Sequence, residues 1–255
     1  MMPGFRNPLR AAIFDVDGTL AETERDGHRP AFNQAFRDYG LHYAWGVVDY
    51  GELLTTTGGR ERLRRFLAEH GHAADAETLA ALLHTAKTAH FLDWVHGSNV
   101  HGRAGAHELM KDLRAANVAL AIATTGSRAW VGPLLERLFG DIDFVAVVTG
   151  NDVAHLKPHP EVYQRALAHL GLKADDAIAV EDSSPGLAAA VAAGLRCLVV
   201  TSAYTRDAVF PAAAAVVPGY LAMDMLDAPV PSVLSKGVTG TALARLHAST
   251  RPPAP

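Results

Sequence analysis

Two aspartates one residue apart, Asp15 and Asp17, stand in the stretch IFDVDGTL, where a short apolar run gives way to Gly18-Thr19. Residues two apart on an extended strand share a face, so both carboxylates project together from the end of the strand that Ala11 to Phe14 would form. Two anions held that close call for a cation or a shared proton. An Asp-Gly turn closing a polar strand end is the simplest alternative. A calcium loop is another, and it fails: Gly18 is fourth from Asp15 where such a loop needs its glycine sixth, and a strand precedes it where a helix should. Further along, Thr124-Thr125-Gly126-Ser127 offers hydroxyls and a backbone amide suited to phosphate oxygens. Lys157 lies in HLKPHPEVY, before two prolines that stiffen the loop and start a helix. Glu181-Asp182-Ser183 adds two more acids.

These groups are far apart in sequence and need a scaffold that gathers strand ends. Apolar runs at Ala11 to Phe14, Val118 to Ala123, Phe144 to Val148, Ala177 to Val180 and Leu195 to Val200 read as buried strands. Between the later ones lie helical patterns, at Ala104 to Ala116, Trp130 to Phe139, Glu161 to Leu170 and Ser184 to Ala193. The alternation predicts an α/β fold, a doubly wound, Rossmann-like parallel sheet with helices on both faces. Ligands in such sheets collect at the carboxyl ends of the strands, where the polar residues fall.

The first connection is far longer than a simple crossover needs. Residues 22–97, with helical patterns at Arg29 to Tyr39, Gly59 to His70 and Ala76 to Trp94, read as an inserted helical cap over the strand ends. Residues 9–21 and 98–230 would form the core, and residues 231–255, ending RPPAP, a mobile extension.

The chain has 255 residues, is 49% hydrophobic and carries a formal charge of -4, enough for a sizeable core and without the basic excess of a nucleic-acid binder. Its single cysteine, Cys197, excludes an internal disulfide and fits a reducing compartment. No signal peptide or run of membrane-spanning length is visible, so the expected location is the cytoplasm, or the equivalent stroma in a plastid, with no membrane partner and a monomer as default. The thirteen histidines are scattered; pairs such as His70/His72 and His96/His101 lack the cysteine partners of a structural zinc site.

DVDGT, then Thr/Ser after the second strand, then KP, then ED, in that order, resembles the haloacid-dehalogenase-like phosphohydrolases over about residues 9 to 205. The insert after the first motif is similar to that superfamily's small-cap branch, which includes phosphoglycolate phosphatases and β-phosphoglucomutases. The resemblance implies that Asp15 attacks phosphorus to form an aspartyl-phosphate. Asp17 would protonate the leaving oxygen and later deprotonate the hydrolytic water, its pKa raised by burial under the cap. It implies Mg2+ on the Asp15 carboxylate, the Asp17 carbonyl and Asp182, with Glu181 in or near the same shell. Lys157 and Thr125 would bind the phosphoryl oxygens, helped by the Gly126 amide.

Within that branch, LAETERDGHRPAFNQAF and YGELLTTTGGRERLRRFL resemble the CbbY-type phosphatases, proteins similar to xylulose-1,5-bisphosphate phosphatase, whose activity removes a misfire product of Rubisco. The implied substrate is a phosphorylated sugar, and Glu22, His28, Tyr50 and the Thr57-Gly58-Gly59-Arg60 turn lie on matching positions. A bisphosphate needs a second anion site away from the magnesium. Gly58-Gly59 opening a helix, with Arg60 in its first turn, offers free amides, a favourable dipole end and a guanidinium fork. Lys87 could add charge at the mouth, and Ser127 and Arg128 could reach the substrate from the core side. Plainer roles exist for each: RERLRR as a solvated helix face, Glu22 and His28 as hinge anchors, Tyr50 as a cap-core aromatic. β-Phosphoglucomutase or phosphoglycolate phosphatase activity uses the same core, and a catalytically silent sugar-phosphate-binding protein would keep the fold.

Overall fold

In a computed structural model, which describes residues 8–97 and 100–249, β1 (Ala11–Phe14) lies at the centre of a six-stranded parallel sheet. The others are β2 (Ala119–Ala123), β3 (Ala146–Val148), β4 (Ala177–Glu181), β5 (Arg196–Val200) and β6 (Ala215–Val217), ordered β3-β2-β1-β4-β5-β6. β1 is buried on both faces. Ala12 and Phe14 enter one apolar cluster and Ala11 and Ile13 the other, which is why the strand reads as an unbroken apolar run. The chain builds β2 and β3 on one side of β1, then β4 to β6 on the other. That reversal opens a crevice at the carboxyl ends beside β1. β6 was not foreseen, being three residues in an alanine-rich stretch, and β3 is shorter than its apolar run.

Between β1 and β2 come a π-helical turn (Glu24–His28), α1 (Arg29–Asp38), α2 (Val47–Leu53), α3 (Gly59–Glu69) and α4 (Ala76–Gly97). Phe32, Phe36, Trp45, Leu63, Leu67 and Leu83 give this insert its own apolar cluster. Its edge is shared: Ala31 of α1 and Phe91 and Val95 of α4 join the cluster of the sheet. The remaining helices are α5 (Ala106–Ala115), α6 (Arg128–Phe139), α7 (Glu161–Leu170), α8 (Ser184–Ala192) and α9 (Gly240–Ala248). α5, α6 and α9 cover one face of the sheet, α7 and α8 the other. The fold is the doubly wound α/β sheet expected from the sequence.

The segment from 231 corrects an expectation. It is packed as far as residue 249: Leu234, Val238, Leu243 and Leu246 are buried, α9 lies along α5, and Arg196 donates to the Ser249 Oγ at 2.9 Å. Its few apolar residues are spaced three or four apart, enough to bury one stripe of a short helix. The final RPPAP falls outside the described residues. No described helix is long and apolar enough to cross a membrane.

Candidate active site

Every hydrogen of the Lys157 ammonium has an acceptor at the carboxyl ends of β1, β2 and β4. Nζ lies 2.6 Å from Asp15 Oδ1, 2.8 Å from the Ala123 carbonyl and 2.6 Å from Glu181 Oε1. Burial alone would depress this lysine, but Asp15 and Glu181 raise it, so it stays charged. Asp15 is itself buried, and its amide bonds to the Val180 carbonyl, continuing the β1 ladder by one residue. Burial pushes its carboxyl up to about 8 against the pull of Lys157, with Glu181 and Asp17 adding to the rise. Since Oδ1 holds the lysine, Oδ2 is left to meet a ligand.

Asp17 is held on one oxygen too. Thr23 Oγ1 donates to Asp17 Oδ1, and His28 Nε2 lies 3.1 Å from the same atom. The other ring nitrogen, His28 Nδ1, is 2.7 Å from the Lys87 ammonium, which can only donate. His28 Nδ1 is therefore an acceptor and Nε2 carries the proton that points at Asp17. Burial and then Lys87 hold the His28 pKa well below its ordinary value, keeping the ring neutral. Burial raises the Asp17 carboxyl, opposed by the Thr23 hydrogen bond, so Oδ2 is suited to carrying a proton.

Gly18, at φ +78°, turns the chain beneath Asp182; a Cβ there would fall 2.0 Å from Asp182 Oδ2. Oxygens of Asp15, Glu181 and Asp182 lie within 4.8 Å of one another, all three residues buried. Burial, then Asp15 and Glu181, push the Asp182 carboxyl well up, with a hydrogen bond from Ser202 opposing. Three crowded carboxylates against one lysine make a set of hard oxygen donors with unbalanced negative charge, and Mg2+ fits it. Glu181 is the member already committed. Its Oε1 accepts from Lys157 and from Tyr163 Oη, each at 2.6 Å, and its Oε2 from the Asp182 amide and Ser183 Oγ. Its part is to fix Lys157, leaving Asp15 and Asp182 free to meet an ion.

Two adjoining cavities open on this centre and share Asp17, Glu24, Gly58, Arg62 and Thr125 in their walls. The first also holds Asp15, Lys157 and Asp182; the second holds Gly59, Arg60, His84, Lys87, Gly126 and Ser127. Lys87 is 4% exposed, so it lines the interior and not the mouth. Its ammonium lies 4.8 and 5.1 Å from the Phe32 and Phe91 ring centres, and burial depresses it to about 8. Tyr50 is fully buried: its hydroxyl donates to Glu24 Oε2 at 2.5 Å and accepts from Arg62 Nη1 at 3.1 Å. The plainer reading of Tyr50 as a cap-core aromatic fits this placement.

Other expected residues stand further from the centre. Glu22 lines the first cavity at its exposed edge, 3.8 Å from Arg103 Nε, while Glu24 lines both cavities. Arg60 lies at the rim of the second, paired with Glu77 at 2.5 Å, both side chains more than half exposed. Thr57 lines the first cavity, and Gly58, at φ +88°, caps α3 so close to the core that a Cβ would meet Leu156 Cδ1 at 2.9 Å. Ser127 Oγ caps α6, and the Gly126 amide donates to Thr124 Oγ1 at 3.0 Å. Arg128 turns away to Asp152 at 2.5 Å and lines neither cavity.

Sequence reasoning missed Thr23, Glu24, Arg62 and Tyr163. Arg62 sits beside Leu63 on the buried face of α3, so its pairing with an apolar periodicity was a usable signal within RERLRR.

A family model described as haloacid dehalogenase-like hydrolase matches residues 9–194. Protein CbbY of Rhodobacter capsulatus is 45% identical over 209 residues, covering 80% of this chain and 91% of that protein. Two crystal structures of CbbY from Rhodobacter sphaeroides, one with phosphate and one of a mutant with xylulose 1,5-bisphosphate, match with a TM-score of 0.77. They are 41% and 40% identical, and each match covers 83% of this chain and 94% of the other. The chain belongs to the haloacid dehalogenase-like hydrolases, as a phosphatase of the CbbY group.

Proposed function

We propose that this phosphatase removes one phosphate from xylulose 1,5-bisphosphate, releasing xylulose 5-phosphate in support of Rubisco, through an aspartyl-phosphate on Asp15 and with Mg2+ as cofactor. The observation that carries the reading is the pair of cavities meeting at Asp17 and Thr125, one walled by the acids and Lys157, the other by Lys87, Arg62 and the Gly58-Gly59 turn. A monophosphate needs only the first; a bisphosphate fills both. The Rhodobacter sphaeroides relative, crystallised with that bisphosphate, supports the same choice.

The residues divide the work. Asp15 Oδ2 attacks phosphorus as the bond to the sugar oxygen breaks, and Asp17 gives that oxygen its proton. Thr23 and His28 keep Asp17 Oδ1 occupied, so the acid proton sits on the oxygen that faces the cavity. Lys157 lies beside the attacked group, and Thr125 lines both cavities where phosphoryl oxygens would pass. Water then attacks the Asp15-bound phosphorus, Asp17 takes its proton back, and the bond to Asp15 breaks to release phosphate. Asp15, the Asp17 carbonyl and Asp182 would hold Mg2+, which supplies positive charge against the phosphoryl oxygens. Closure of the cap excludes bulk water during the first transfer.

Phosphate release is measured on xylulose 1,5-bisphosphate, ribulose 1,5-bisphosphate, phosphoglycolate and β-glucose 1-phosphate, each with Mg2+ and with EDTA. Strong preference for xylulose 1,5-bisphosphate, lost in EDTA, is expected. Preference for another substrate overturns the substrate assignment, undiminished turnover in EDTA overturns the metal, and silence on all four overturns both.

A further inference from the structure

Tyr204 is a core residue that packs inside the cap. It follows β5 in a tight turn: the Ser202 amide donates to Thr205 Oγ1 at 2.9 Å, the two side-chain oxygens lie 3.1 Å apart, and the Ala208 amide bonds to the Thr205 carbonyl. Arg103 anchors the base of this turn by donating to the Thr201 carbonyl at 2.8 Å. Ser202, on the same turn, reaches Asp182. From that fixed stem the Tyr204 ring joins the apolar cluster of the insert, edge-on to Tyr50 at 6.0 Å. It lies against Gly51 of α2, where a Cβ would come 2.9 Å from its ring. Only a residue without a side chain lets the ring seat there.

The far end of the ring is the informative part. The Tyr204 hydroxyl is buried yet has no hydrogen-bond partner, and the residue lines the first cavity with Glu24, Arg62 and Ser202. A buried hydroxyl left unpaired is costly, and phenol hydroxyls in such places usually find a partner. The charged groups around it, Arg29, Glu24, Arg25 and Asp26, make no hydrogen bond to it; Arg29 donates to the Arg25 and Trp45 carbonyls and Glu24 gives Oε2 to Tyr50.

We infer, on the sugar-phosphate reading above, that Tyr204 is a specificity-determining residue: its ring latches the closed cap at Gly51 and its hydroxyl bonds a hydroxyl of the sugar chain lying in the first cavity. Both halves of the role can be separated. Tyr204→Phe keeps the ring and removes the hydroxyl, Tyr204→Ala removes both, and Gly51→Ala displaces the ring from the cap side while favouring α2.

The readout is a ratio, kcat/KM for the sugar phosphate that the wild type prefers, divided by kcat/KM for p-nitrophenyl phosphate, which offers no sugar hydroxyl. Tyr204→Phe should lower that ratio about 10-fold, the loss of one buried hydrogen bond. Tyr204→Ala and Gly51→Ala should lower it further, with melting temperature checking that both fold. A ring that only packs, with no hydroxyl contact, would scale both substrates alike, so a ratio unmoved by Tyr204→Phe overturns the hydroxyl contact; because the latch is what seats the hydroxyl, a ratio unmoved by Gly51→Ala overturns the latch. A wild type that prefers a different sugar phosphate overturns xylulose 1,5-bisphosphate as substrate and leaves the ratio test of Tyr204 standing. A wild type with no preference for any sugar phosphate over p-nitrophenyl phosphate overturns the inference itself.

Discussion

The core and the cap face each other across the two cavities with opposite electrostatic problems. At the strand ends, acids are crowded and pushed up: burial raises Asp15, Asp17 and Asp182, neighbouring carboxylates add to the rise of Asp15 and Asp182, and Lys157 is the one buried ammonium among them. In the cap, bases are crowded and pushed down. Lys87 falls to about 8 because burial outweighs the pull of Glu24 and Asp17, His84 falls to about 4 through burial and then Lys87, Arg60 and Arg62, and His28 is depressed by burial and Lys87. The core cavity carries more acids than bases, while the cap cavity sets Arg60, Arg62, Arg64 and Lys87 beside Glu24, Glu61 and Glu77. On the proposed reading, Mg2+ would relieve the crowded acids of the core and a phosphate of the substrate would meet Lys87 and Arg62 in the cap. Neither wall alone selects that pair.

The sharpest way to break the comparison is at the core. Asp15→Asn should abolish phosphate release on every substrate, because the amide is a poor nucleophile, while the fold persists, since asparagine still accepts from Lys157 through its carbonyl oxygen. Asp17→Asn keeps the hydrogen bonds to Thr23 and His28 but loses the proton shuttle, and should reduce kcat by about 10²–10⁴-fold. Steady-state kinetics with circular dichroism check both, and activity retained in Asp15→Asn would sink the nucleophile.

The two walls also differ in how much of them could be read beforehand. Apart from Lys157, which comes nine residues after β3 ends at Val148, the core residues sit where β-strands stop, and each stop is marked locally by an apolar run giving way to acids or hydroxyls. Asp15, Thr125, Glu181 and Asp182 were therefore legible together with the fold. The cap residues depend on contacts far apart in sequence: Lys87 meets His28 across 59 positions. The π-helical turn Glu24–His28 brings Glu24 against the Tyr50 hydroxyl and leaves Glu22 at the outer edge with Arg103. A regular helical or extended reading cannot show that rotation. The packed segment around α9 was illegible for another reason: its apolar residues are few, and what buries them is α5 and the apolar cluster of the sheet, far off in sequence.

Lys87 sharpens the cap side through pH. Its folded pKa is about 8 against an ordinary 10.5, so between those values the unfolded chain binds the proton that the folded chain has released. Stability should rise as pH increases from 8 to 10.5, by about 3 kcal/mol if no other group intervened, and the full penalty of the buried charge applies below pH 8. Lys87→Met removes this rise. Urea unfolding of both proteins across that window isolates the difference, and parallel curves would show that the ammonium is not desolvated in the free enzyme. At pH 7 the same substitution should raise KM for a bisphosphate more than for p-nitrophenyl phosphate, since only the former reaches the second cavity.

The smallest expected effect separates the rim of the cap from its interior. Arg60 is half exposed and bound to Glu77, and an exposed pair of this kind contributes roughly 0–1 kcal/mol to stability. Arg60→Ala should leave the melting temperature within a degree or two of the wild type, roughly what surface substitutions cost. It should raise KM for the bisphosphate only a few-fold, about what an exposed charge contributes through the solvent. Glu77→Gln is the informative partner, because it frees the guanidinium without removing it. If Arg60 turns to the second phosphate when a substrate arrives, Glu77→Gln lowers KM for the bisphosphate and leaves that of p-nitrophenyl phosphate unmoved. If KM stays the same in both variants, Arg60 belongs to the solvated face of α3, and the anion site of the cap is made by Arg62, Lys87 and the amides of the Gly58-Gly59 turn.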